Sequence, residues 1–298
     1  MCARVNREVH VSSHGIRLLL WIYRHCGQRA CRQLVTCILT CAYPFLRRAR
    51  VNSLRFRRQW SLYTARRPVG GFAHLRTFAY TLADRLACRA GLFDMRRVRV
   101  CTPAAYEKLC SLYFNGRGVF CISSHLGCFD MLRVLFDCTR KEMTGEIHVF
   151  MDTTATQSFS RQQLRYGGEA LETYVHSVQE LGPGLSMQMA EKVEQGAMVV
   201  MAGDRTWREG KRANYVFPFL GRDASFPRGC FRWAAALGCP VYTFCLAENG
   251  GMYDLHVECL SENGESGAET LARRFSEQLQ ELCRNYPSNW FNFYDFWK

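Results

Sequence analysis

The run Gly118-Val119-Phe120-Cys121-Ile122-Ser123-Ser124-His125-Leu126-Gly127-Cys128-Phe129-Asp130 decides how the chain is read. Gly118–Ser123 is short, apolar without interruption, and bounded by Gly116. Those are the marks of a strand buried on both faces. A histidine and a glycine then break the run, and Phe129–Cys138 resumes with helix-like spacing. The same alternation continues in both directions. Upstream, Thr102-Pro103 has the form of an N-cap with Pro at the first helical position, opening a helix towards Phe114. Downstream, Ile147–Met151, Ala197–Ala202, Pro240–Leu246 and Tyr253–Val257 predict four more strands. Met187–Gln195 and Arg228–Leu237 predict helices closed by Gly196 and Gly238. Ser266-Gly267-Ala268-Glu269 matches a capping box, and Leu271, Phe275, Leu279 and Leu282 mark one face of a long helix behind it. Continuous apolar strands alternating with helices predict an α/β fold, a central and mostly parallel sheet flanked by helices.

Polar residues at the carboxyl ends of strands are where such folds place chemistry, and His125 and Asp204 both fall there. Asp130 follows His125 after four intervening residues. On one continuous helix, residues five apart diverge by about 140°. With His125 in the loop and Asp130 in the first helical turn, the carboxylate reaches back to one imidazole nitrogen. The pair then forms a dyad able to deprotonate a hydroxyl. Gly127 permits the tight turn between them. Cys128 is either an acyl-accepting nucleophile or a small buried side chain, and we read it as the latter. Asp204 and Arg205 either form a structural ion pair or orient substrate, with the guanidinium available to an oxyanion. His10, His14, His25, His74, His148, His176 and His256 have no acid at matching spacing, so we read them as structural or surface residues.

The 298 residues are 48% hydrophobic and 22% charged, which excludes a disordered or fibrous chain. The net charge of +13 is unevenly placed: residues 1–67 carry fourteen Arg and a single acid, Glu8, while residues 68–298 balance 25 basic against 25 acidic residues. We therefore divide the chain into a basic arm, 1–67, and a single α/β domain, 68–298. Within the arm, Leu18–Tyr23 and Leu34–Leu46 are apolar runs flanked by Arg and too short for the roughly 20 residues of a membrane span. That pattern predicts a helical arm lying on or dipping into an anionic membrane surface. A nucleic-acid arm and an ordinary solvated helix are the rivals; Leu18–Tyr23 is too apolar for the first. The sixteen Cys form no C-x-x-C pair, predicting free, largely buried thiols and no metal site.

Ser123–Asp130 resembles the His–four–acid block of the lysophospholipid acyltransferase superfamily. It is closer to the lipid A biosynthesis (lauroyl/myristoyl) acyltransferases, whose block is approximately S-x-H-x-G-x-x-E; here Asp130 stands where that branch has Glu. Gly203-Asp204-Arg205, Pro218–Arg222 and Ala235–Val241 resemble further blocks of that family in the same order. The ending Pro287–Trp297 resembles predicted acyltransferases that close in W-F-N-F-x-D-F-W. The resemblance implies a membrane-associated O-acyltransferase at the cytoplasmic face of the cell inner membrane. It would move an acyl group from a thioester, on acyl carrier protein or coenzyme A, to a hydroxyl of a lipid or glycolipid. His125 would be the general base and Asp130 would orient it. Backbone N–H groups near Gly127, with Asp204 and Arg205, would hold the oxyanion or position substrate. No metal or cofactor beyond the thioester co-substrate is implied. Phe219, Gly221 and Arg222 would line the acceptor site, or form a plain turn. Arg208, Lys211 and Arg212 would dock an acidic carrier protein. A glycerolipid acyltransferase of the same superfamily, or a catalytically silent membrane scaffold, is the alternative.

Overall fold

The computed structural model describes residues 13–128, 131, 145–151, 173–206 and 213–297. Three helices open the chain: α1 (Ser13–Ala42, broken at Gly27), α2 (Arg47–Thr64) and α3 (Gly71–Arg89). There follow β1 (Val98–Val100), α4 (Pro103–Phe114), β2 (Val119–Ser123), β3 (Ile147–Met151) and β4 (Thr173–Ser177). Next come α5 (Pro183–Glu194), β5 (Met198–Ala202), β6 (Asn214–Phe219), β7 (Arg222–Pro227) and α6 (Arg228–Ala236). The last elements are β8 (Val241–Asn249), β9 (Met252–Ser261) and α7 (Ala268–Asn285). Seven strands form one sheet in the order β1-β9-β8-β2-β5-β3-β4, and β6 and β7 pair separately as a hairpin. Every neighbouring pair in the large sheet is parallel except β8–β9.

The fold class expected from the alternating pattern is therefore present, and each expected strand appears within a residue or two at its N-terminal end. β2 and β5, the most apolar, lie at the middle of the sheet with core on both faces. The antiparallel β8–β9 pair follows from the short turn at Gly250-Gly251, where both glycines have positive φ. The expected helix Phe129–Cys138 lies outside the described residues, apart from Met131.

Two local expectations are corrected. Thr102 does occupy the N-cap of α4, but its hydroxyl accepts the Val257 N–H at 2.7 Å and makes no cap bond. The capping box at Ser266 does not form: Gly267 is the N-cap of α7 and has no side chain to offer.

The basic arm packs against the rest of the chain. Phe56 and Trp60 of α2 are buried in the same core as Phe219, Trp290 and Phe296. The Trp60 indole donates to the Cys283 carbonyl at 2.9 Å. α1 is held by the buried Asp84 of α3. That carboxylate takes hydrogen bonds from Tyr23, Arg32, Arg97 and Tyr253 at 2.8–3.2 Å. Arg32 also pairs with Glu248 at 2.8 Å. An unpaired carboxylate so placed would carry a large desolvation cost, and two guanidiniums offset it. No helix among the described residues is long and apolar enough to cross a membrane.

Candidate active site

β2 and β5 run parallel and in register, with Ser123 beside Ala202. The ladder extends one bond further, from the Gly203 N–H to the Ser123 carbonyl at 2.9 Å. Each strand then projects two residues past this point, to His125 and to Asp204. Their side chains meet there: His125 Nδ1 lies 2.8 Å from Asp204 Oδ1, and the His125 backbone N–H donates to Asp204 Oδ2 at 2.7 Å. Asp204 is fully buried, while the His125 side chain keeps 21% of its surface. The carboxylate partner that the structure describes for His125 is thus 79 residues away in sequence. Asp130, the partner expected from spacing, lies outside the described residues.

Burial alone would push the Asp204 carboxyl up. The charge His125 carries when protonated, two hydrogen bonds from it and the nearby Arg205 outweigh burial, so the carboxyl is held below its ordinary value. An ionised carboxylate at Nδ1 selects the tautomer that carries its proton on Nδ1, leaving the lone pair on Nε2.

The chain's C-terminal segment closes over this pair. Leu126 bridges Trp290 in antiparallel fashion, Phe291 N–H donates to the His125 carbonyl at 2.8 Å, and Gly127 N–H donates to the Asn289 carbonyl at 2.9 Å. Asn289 is itself fixed by two bonds to the backbone of Glu248, at 2.8 and 2.9 Å. Asn292 donates to Asp204 Oδ2 at 2.8 Å and accepts from Arg205 at 3.1 Å. Tyr294 donates to the Asp204 carbonyl at 3.2 Å, and the Arg205 guanidinium lies over its ring. By its composition the aromatic ending is either an interfacial membrane anchor or a packed cap over the core, and we read it as the cap. Trp290, Phe291 and Phe296 are indeed buried, but Asn289 and Asn292 among them were overlooked. The signal was present: a buried amide in an apolar run must find hydrogen-bond partners inside the protein.

Gly127 has φ of 73°, and a Cβ there would sit 2.3 Å from the Leu246 carbonyl oxygen. Glycine is required for both reasons. The expectation that backbone N–H groups near Gly127 hold an oxyanion is corrected for the four amides from His125 to Cys128. They are bonded to Asp204, Ser124, Asn289 and Leu246 respectively. The contribution of Gly127 is to the shape of the loop. Arg205 Nε is buried with no hydrogen-bond partner among the described residues.

Phe219, Gly221 and Arg222 lie at the end of the β6–β7 hairpin. Leu220 and Gly221 form the two-residue turn of the β6–β7 hairpin, with φ of 51° and 79°. Phe219 is fully buried against Trp290, Phe226 and Phe296, so it cannot line an open acceptor site, and Arg222 is exposed at the hairpin end. The alternative of a plain turn is the one observed. Arg208, Lys211 and Arg212 lie outside the described residues. Cys128 is buried, as are eight further cysteines among the fourteen described.

Among the other histidines, His148 does have an acid partner, contrary to expectation. Its Nε2 lies 3.0 Å from Glu146, and its Nδ1 lies 3.0 Å from His176. The acid, Glu146, lies one residue before β3 and two before His148, a strand-like spacing that a search for helical or loop neighbours passes over. Among the described residues, no group of three or more His, Cys, Asp or Glu side chains is arranged to hold a metal ion. No protein-family model and no curated protein matches the chain.

Proposed function

We propose that this chain is a membrane-surface O-acyltransferase in which His125, held by Asp204, is the general base. The observation that carries the reading is the partly exposed imidazole bonded to a fully buried, ionised carboxylate at the carboxyl ends of two adjacent parallel strands. That is the position and electrostatics a base for a hydroxyl group needs. The ordered resemblance of Ser123–Asp130, Gly203–Arg205 and the C-terminal run to lipid A-type acyltransferases supplies the reaction class. Nε2 takes the proton of an acceptor hydroxyl, and the oxygen attacks the thioester carbonyl. Arg205, bonded to Asn292 beside Asp204, is the cation we assign to the developing oxyanion. The C–S bond then breaks, and the imidazolium returns its proton to the leaving thiolate. The acceptor is a lipid or glycolipid, and the donor is acyl carrier protein. The basic residues Arg208, Lys211 and Arg212 follow the Asp204 strand end and would meet that acidic carrier.

The membrane part of the reading is supported by where the apolar surface lies. Among the described residues, thirteen large hydrophobic side chains are exposed, and eight belong to the arm: Leu18, Trp21, Ile38, Phe45, Val51, Leu54, Leu62 and Tyr63. Phe45 keeps 86% of its surface. Arginines share hollows with these residues, Arg47, Arg48 and Arg55 beside Val51, and Arg50 and Arg57 beside Leu54. Apolar side chains for the acyl region next to guanidiniums for phosphates describe an interfacial helix. We place the protein at the cytoplasmic face of the inner membrane.

Lipid mass spectrometry of a deletion strain beside its parent identifies the acylated product. Restoring the gene should return that species, and the His125→Ala gene should not. With purified protein, His125→Ala and Asp204→Asn should each lower transfer by about 10²- to 10⁴-fold without loss of fold. Carrier-borne thioester should outpace the coenzyme A thioester at low salt and lose that lead as salt rises. Near-parental transfer by His125→Ala would sink the assignment.

A further inference from the structure

We infer that Asn292 is a positioning residue that aims the Asp204 carboxylate at His125, and that it does so as a neutral amide set between an acid and a guanidinium. The inference rests on the base role proposed for His125. Asn292 is buried. Its Nδ2 donates to Asp204 Oδ2 at 2.8 Å, and its Oδ1 accepts from Arg205 at 3.1 Å. A flipped amide would face oxygen with oxygen and N–H with N–H, so the two neighbours determine its orientation.

Asp204 Oδ2 consequently receives two N–H groups, from His125 at 2.7 Å and from Asn292 at 2.8 Å. Held from both directions, the carboxylate cannot turn about its Cβ–Cγ bond, and Oδ1 stays on His125 Nδ1. Asn292 does not sit on a loose tail. The residues before it are bonded to the loop that carries His125, through Leu126–Trp290, His125–Phe291 and Gly127–Asn289. The position therefore couples the chain terminus, the β5 end and the β2 loop through one side chain.

The residue type matters as much as its place. An Asp at 292 would put a second carboxylate against Asp204 and add negative charge near the imidazole. A leucine, of the same branched shape, would leave Asp204 Oδ2 with one donor and Arg205 with none from this side. Only an amide satisfies both neighbours without adding charge. Among the described residues, the charged and titratable groups around His125 to be followed with it are Asp204, Arg205 and Tyr294.

The test is a pH titration of the full chain with ¹⁵N-labelled histidine and asparagine, followed by NMR and using no acyl donor. His125 is assigned by its loss in His125→Gln. In the unaltered protein, the Asn292 side-chain amide should shift with the same midpoint as the His125 ring. In Asn292→Asp, the His125 midpoint should rise by about one unit or more, a tenfold gain in proton affinity, while the His148 and His256 resonances keep theirs. An Asn292→Asp protein that melts at lower temperature with the His125 midpoint unmoved would show a merely structural residue and overturn the inference. If that variant does not fold, the unaltered protein decides: an Asn292 amide that ignores the titration of His125 overturns it equally. Failure here leaves the acyltransferase reading standing, because that reading falls only if His125→Ala keeps its transfer.

Discussion

His74 shows at the scale of one residue how neighbours set a protonation state. It sits on α3, fully buried, with Nε2 2.7 Å from the Trp290 carbonyl and Nδ1 2.9 Å from the Ser53 hydroxyl. A carbonyl only accepts, so Nε2 carries the proton and Nδ1 takes the hydroxyl hydrogen of Ser53. Burial depresses the imidazole; the Trp290 carbonyl opposes this in part and Arg57 adds to it, so the group titrates at about 4 in place of 6.5. Between those two values the unfolded chain binds a proton that the folded chain refuses. Stability should therefore be full above about pH 6.5 and fall as pH drops towards 4, by roughly 3 kcal/mol at most. His176 and His256 are also depressed, first by burial, and slope the same way. Urea midpoints of the parent and His74→Gln across this range isolate the His74 share. Parallel slopes in the two proteins would contradict it. Neither His74 nor the His125–Asp204 pair was legible from spacing, because their partners are 21 to 216 residues away.

At the scale of elements, the loop between β2 and the next segment depends on Gly127. Positive φ and a Cβ 2.3 Å from the Leu246 carbonyl would both penalise any side chain there. Gly127→Ala should cost at least about 2 kcal/mol and displace His125 from Asp204. Gly229, in the first turn of α6, has open space around it and helical geometry. Gly229→Ala should leave stability unchanged or raise it by up to about 1 kcal/mol. Chemical denaturation of both variants checks the contrast, and equal effects would refute it. Strands were legible because β2, β5 and β8 are apolar at nearly every position and could only be buried. The β8–β9 hairpin was legible too, in Asn249-Gly250-Gly251, but an expectation of parallel strands passed over it. The capping box at Ser266 failed because matching residue types do not fix where the first helical turn begins.

For the whole molecule, charge and packing give the arm two faces. Phe56 and Trp60 belong to the core, so removing residues 1–60 should yield aggregated material that says nothing about membranes. Phe45, Leu54, Arg47 and Arg48 are exposed, so they can be changed with the core intact. Arg47→Gln with Arg48→Gln should weaken binding to anionic vesicles by about 1 kcal/mol per arginine, some fivefold each, and Phe45→Ser should weaken it further. Cosedimentation with anionic and with neutral vesicles measures this; binding that none of these changes alters would remove the arm from the membrane reading. By itself the sequence determined the α/β class, the central strands and the segregation of charge, because burial on both faces and net charge are properties of local composition. It also marked His125 and Asp204 as separate residues at strand ends. Only the tertiary structure decided that they are partners, that Asn292 from the far end of the chain joins them, and that Phe56 and Trp60 of the arm belong to the core. Those facts depend on which strands become neighbours and on how a terminus closes over them, and contacts between residues 79 or 88 positions apart leave no periodicity to read.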